Sequence, residues 1–138
     1  MASSGWGKLT NFFYLALDNL KGNIGYLSEF FYVRIYFIAS GAVNLLSWLA
    51  AYNVKIRMTS DLVVLHYNID FGINLIGSPL QIYTLPLIGL IFFIVNVFLV
   101  FAVQKEGRFL IHALFLTSFL VNVFLLINLG LIYLVNFR

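Results

Sequence analysis

Apolar side chains gather into three long runs along this chain, and polar ones collect in the joints between them. The runs are residues 33–52 (VRIYFIASGAVNLLSWLAAY), residues 85–103 (LPLIGLIFFIVNVFLVFAV) and residues 109–135 (FLIHALFLTSFLVNVFLLINLGLIYLV). A helix needs about 20 mostly apolar residues to cross the hydrocarbon of a bilayer, so three transmembrane helices are predicted. The third is long enough to tilt or project. QKEGR, residues 104–108, lies between the last two runs and reads as a tight charged turn joining an antiparallel helix pair.

Ahead of the first run, WGKLTNFFYLALDNLKGN places Trp6, Leu9, Phe13, Ala16, Leu17 and Leu20 near helical spacing. Residues 1–27 are therefore expected to form an amphipathic segment lying in the membrane interface, with Trp6 and Tyr14 as anchors. A helix packed on the bundle or on a partner subunit fits the same spacing. Gly22 and Gly25 are expected to break this helix, and Ser28 to cap the next.

Residues 53–83 are too polar to span and form an outward loop on this reading. VKIRM (54–58) alternates apolar and basic residues, LVVLHY (62–67) is rich in β-branched and aromatic residues, and FGINLI (71–76) is a third short run. NID makes a turn and GSP ends the region. Two or three short strands are predicted. Unpaired strand edges are not tolerated in lipid, so this piece belongs at the membrane surface or against another chain.

Composition supports the membrane reading. Hydrophobic residues make up 62% of the 138 and charged residues 9%, against about 25% charged in ordinary soluble domains. The absence of cysteine excludes disulfides and thiolate chemistry. The net charge of +3 is spread without a basic run between exposed aromatics, so nucleic acid is not an expected partner. With three spans, Lys8, Lys21, Arg34, Lys105 and Arg108 fall on one side, and Lys55, Arg57 and Arg138 on the other. The richer side is expected to be cytoplasmic, which puts the N-terminus inside and the 53–83 loop outside.

Candidate chemistry is sparse. His66, Asn68 and Asp70 alternate and would share one face of a continued strand. A catalytic metal usually takes three protein ligands, and only Asp61 is near enough in sequence to help. Turn formation by Asn68 and Asp70, with His66 bonded to backbone, accounts for them more simply. They are kept as candidate loop contacts. No catalytic residue, cofactor or metal ligand is predicted, since nucleophile, zinc and phosphate-loop motifs are all missing. No Asp, Glu or Lys lies deep in a span, which argues against an ion-coupled carrier. His112, at the start of the third run, reads as an interfacial histidine.

The polar residues inside the runs are mainly Asn44, Asn96, Asn122 and Asn128. An amide in lipid must find a partner, and a bond between helices contributes about 0.6 to 2 kcal/mol. Asn122 and Asn128 point roughly 120° apart on an ideal helix. One direction is thus expected to meet a second copy or another subunit, unless the amides bond backbone carbonyls of their own or a neighbouring helix. Ser40, Gly41, Ala42 and Gly89 would permit close helix approach.

VVLHYNIDFGINLIGSPLQIYTLPLIGLIFFIVNVFL, residues 63–99, resembles small prokaryotic multi-pass membrane proteins of unknown function related to the sporulation-delay toxin immunity proteins. These carry a P-x-H-[FY]-N-x-x-G segment outside the membrane, followed by a Pro-containing transmembrane helix. His66, Tyr67, Asn68, Gly72 and Pro86 match. Val64 stands where that pattern has proline, and the His-to-Gly spacing differs. The resemblance implies a small bacterial membrane protein and transfers no catalytic residue.

The expectation is an all-α integral membrane protein with three transmembrane helices, an N-terminal interfacial helix and a small β-rich loop. The expected role is non-enzymatic: a structural or accessory subunit that forms a homo-oligomer or joins other membrane subunits in the lipid bilayer. Asn-bearing helix faces and the loop would make the contacts. A sensor or immunity-type protein binding a peptide or small ligand is the alternative, and an oligomeric pore lined by asparagines is a third.

Overall fold

A computed structural model describes residues 30–68 and 72–137, with residues 67, 68 and 72–74 described by backbone alone, and eight positions between residues 10 and 25. Three helices, α1 (Phe31–Arg57), α2 (Thr84–Val103) and α3 (Arg108–Phe137), form the body. The strands β1 (Val63–Asn68) and β2 (Gly72–Gly77) and a 3-10 turn (Pro79–Tyr83) lie between α1 and α2. At 1.5 Å per residue the helices are about 40, 30 and 45 Å long, and each is apolar enough to cross a membrane.

A seven-residue rhythm sets which face of each helix is buried. On α1 the buried positions are Val33, Ser40, Asn44, Ser47, Ala51 and Val54. On α2 they are Pro86, Gly89, Phe93, Asn96 and Val100. On α3 they are Ile111, Phe115, Ser118, Asn122, Leu129 and Ile132. Steps of three and four alternate in all three, the pattern that keeps one stripe facing a common axis. α2 and α3 run antiparallel through a short turn, in which the Glu106 N–H donates to the Val103 carbonyl at 2.9 Å. Gly107 takes φ +140 there, a conformation that side chains rarely adopt. α1 and α3 run parallel, since Tyr32–His112, Asn44–Asn122 and Arg57–Tyr133 pair in the same order along both.

The helix rhythm also corrects one expectation. Val54 to Arg57 are not a strand but the last turn of α1. Val54 sits in phase with Val33, Ser40 and Ser47, and it is 2% exposed. Four residues of alternation could not outweigh that stripe. Lys55 and Arg57 then fall in the last turn, where cations oppose the helix dipole. α1 accordingly exceeds residues 33–52 at both ends.

The other two runs do pair. β1 and β2 form an antiparallel hairpin, with Val63 opposite Gly77 and Asn68 opposite Gly72. The register slips by one residue between Val64 and His66 and slips back between His66 and Tyr67. α2 begins only at Thr84, where Tyr83 stacks on Trp48 of α1 at 5.9 Å. Beyond that level the 3-10 turn and β1 take the place of a third helix. Ile82 and Val63 are fully buried there against Ala51, Val54, Leu129 and Ile132.

At the opposite end Val33, Val100, Ile111 and Phe115 make a second apolar cluster. Tyr32 stacks on His112 at 4.0 Å, and the Arg108 guanidinium lies 5.2 Å over the Phe30 ring. The first helix starts with Phe30 as its N-cap, not Ser28, and no side chain caps it. Gly22 and Gly25 are both helical, as are Thr10, Asn11, Tyr14, Leu15, Asp18 and Lys21, while residues 23, 24 and 26–29, where the expected break would fall, lie outside the described residues. Trp6, Leu9, Phe13, Ala16, Leu17 and Leu20, the residues of the expected apolar face, lie outside the described residues.

Candidate functional site

Between the two apolar clusters the bundle interior is polar. Ser40, Asn44, Ser47, Asn96, Ser118 and Asn122 are all buried, the last at 0% exposure. Large apolar side chains such as Ile38, Leu45, Phe98, Phe124 and Leu131 face outward. This reverses the usual arrangement in water.

Asn44 and Asn122 organise the interior. The Asn44 Nδ2 group donates to Asn122 Oδ1 at 2.9 Å and to the Pro86 carbonyl at 3.0 Å. Its Oδ1 accepts from Trp48 Nε1 at 3.2 Å. The Asn122 Nδ2 group donates to the Ser118 carbonyl at 2.9 Å and to the Gly89 carbonyl at 3.4 Å. Both N–H groups and the oxygen of each amide are therefore occupied, and one pair of side chains ties together all three helices. Gly89 makes the fit possible. A Cβ there would stand 2.5 Å from Asn122 Oδ1 and 2.9 Å from Asn44 Nδ2. Gly41 has nothing within 4 Å of its would-be Cβ, so it serves no such approach.

Asn96 is buried but bonds the Phe92 carbonyl of its own helix at 2.9 Å. The hydroxyls of Ser40 and Ser118 are buried without a partner, whereas Ser47 Oγ donates to the Val43 carbonyl at 3.0 Å. Asn44, Asn96 and Asn122 thus point into the bundle rather than across an outer face. Asn128 differs. It is half-buried and lines a groove of about 370 Å³ with Val64, Leu65, His66, Leu131, Ile132 and Val135. Here the structure brings together two residues expected in separate roles, His66 of the loop and Asn128 of α3. The paired register slips flank His66, and such irregularities re-aim a strand side chain. Asn68 closes β1, and Asp70 lies outside the described residues.

One residue with a central role escaped sequence reasoning. Asn136 receives the Val64 N–H on its Oδ1 at 2.9 Å and donates from Nδ2 to the Val64 carbonyl at 2.8 Å. Nδ2 also donates to the Ile132 carbonyl at 2.8 Å. The amide thereby pairs with β1 as a neighbouring strand would, closing the edge of the hairpin that faces α3. The spacing held a signal: Phe115, Asn122, Leu129 and Asn136 recur every seven residues, so Asn136 shares the stripe of Asn122 while Asn128 does not.

A second groove, about 440 Å³, runs between α1 and α3 and ends at Asn53, Arg57 and Tyr133. Arg57 Nη1 donates to Tyr133 Oη at 3.3 Å. Among the described residues no three His, Cys, Asp or Glu side chains come together to hold a metal ion. Neither family models, nor curated proteins, nor solved structures give a match to this chain.

Proposed function

We propose that this chain is a non-enzymatic multi-pass membrane protein that serves as a structural or accessory subunit of a membrane assembly. The observation that carries this is the inverted distribution of side chains: amides and hydroxyls inside, Leu, Ile and Phe outside. In water such a surface would cost far more than its small interior could offset. In lipid the outer faces cost nothing, and the buried amides supply the association that apolar contact cannot. Asn44 and Asn122 are spent within one chain, so contacts to a partner fall to the apolar outer faces and to the groove bearing His66 and Asn128. The rule of basic cytoplasmic loops favours the 104–107 turn inside and the hairpin outside, in a prokaryotic inner membrane.

Carbonate washing of membranes followed by mild-detergent purification tests both parts. The chain is expected to stay in the membrane pellet and to purify at a mass above its own 15.7 kDa. Recovery as a lone monomer would refute the subunit role.

A second reading, a sensor or immunity-type protein, is favoured by the groove between β1 and α3, where a peptide or small ligand would meet His66 and Asn128. Under that reading Asn128→Leu abolishes ligand binding and leaves assembly intact.

A further inference from the structure

We propose that the groove between α1 and α3 is a binding site for one anionic phospholipid, with an acyl chain along its floor and the headgroup phosphate at Arg57. The proposal rests on the membrane reading above. Three observations carry it.

The first is the order of residues along the groove. Arg57, Asn53 and Tyr133 stand at one end; Ala50 and Gly130 come next, and Leu46 lies deepest on α1. Eleven residues separate Leu46 from Arg57, about 16 Å of helix. One leaflet of a bilayer has about 15 Å of hydrocarbon. The floor therefore matches the depth of a single acyl chain, and the polar end falls where a phosphate sits.

The second is the chemistry of that end. The bond from Arg57 to Tyr133 uses one guanidinium N–H. The other N–H groups and the Tyr133 hydroxyl hydrogen suit phosphate oxygens, which Arg holds through a planar fork. Among the described residues Arg57 forms no ion pair, and Lys55 adds a second exposed cation in the same turn.

The third is Gly130. Glycine inside a helix is destabilising relative to alanine, and packing does not require it here, since nothing lies within 4 Å of its would-be Cβ. Its effect is to keep the groove open. A second copy of the chain is a poorer occupant. A symmetric parallel dimer through this face would bring two Arg57 guanidinium groups together, and such like-charge contacts disfavour association.

The test uses the full chain in bilayer discs of equal parts phosphatidylcholine and phosphatidylglycerol, released for mass measurement. One phosphatidylglycerol is expected to remain bound after the other lipids are stripped. Arg57→Gln should cut its retention about tenfold, as expected for loss of a charge-assisted hydrogen bond, and Arg34→Gln at the far end of α1 should not. Gly130→Leu fills the groove and should remove the adduct while the helical circular dichroism is unchanged. If that variant misfolds, Leu49→Trp, on a side chain that is 56% exposed, blocks the same floor. Equal retention of both lipids, retention that survives Arg57→Gln, or a two-copy mass lost in Gly130→Leu would each overturn the site. So would displacement by inorganic phosphate alone, which would leave the acyl groove without a role. A chain that washes off membranes in carbonate would instead refute the membrane reading itself.

Discussion

The middle of the bundle and the hairpin end use the same device differently. In both, an asparagine amide binds backbone carbonyls, with its oxygen and both N–H groups engaged. At the middle, the Asn44–Asn122 pair touches all three helices, so nothing can leave the bundle without stranding an amide. At the hairpin end, Asn136 holds Val64 alone, and β1 and β2 pair with each other regardless. The lesson is that full use of the amide's donors and acceptor is common to both places, whereas its reach depends on how many elements it joins. One is predicted to report on the whole fold and the other on a part.

The sharpest way to break the comparison is at Gly89. Gly89→Val drives a side chain into both amides, and combined overpacking and lost hydrogen bonds should destabilise by about 3 kcal/mol or more. Reversible unfolding in mixed detergent measures this, and a loss near zero would show that the amide pair does not hold the helices. Asn136→Leu comes next, at about 1 to 2 kcal/mol. Its signature is local: hydrogen exchange should rise through residues 63–77 with the helices still protected. Uniform loss of protection would erase the contrast between the two regions. Gly41→Ala is the smallest and has the opposite sign. With no neighbour to meet, the alanine should stabilise α1 by about 0.5 to 1 kcal/mol.

Much of this was legible beforehand, for physical reasons that also explain the gaps. The three long apolar helices follow from length and hydrophobicity alone, and the two strands from β-branched runs bounded by turn residues. Asn44 and Asn122 stood out because an amide in an apolar run must have a partner. That their partner is each other is a matter of helix phase, which depends on where the neighbouring helices stand. Read with its seven-residue stripe, Val54 belonged to the helix; read by itself, the alternation of VKIRM suggested a strand. Asn136 looked like an ordinary residue at the end of a span. The strand whose edge it closes comes from the far side of α2, 72 residues away.

The bond between Asn44 and Asn122 joins residues 78 apart. A ribosome adding about 5 to 20 residues per second delivers Asn122 roughly 4 to 16 seconds after Asn44. Throughout that interval the first helix carries an amide that can meet Trp48 and then the Pro86 carbonyl, but not yet Asn122. The joint that ties all three helices is therefore among the last to form, closing only once most of the chain has been made.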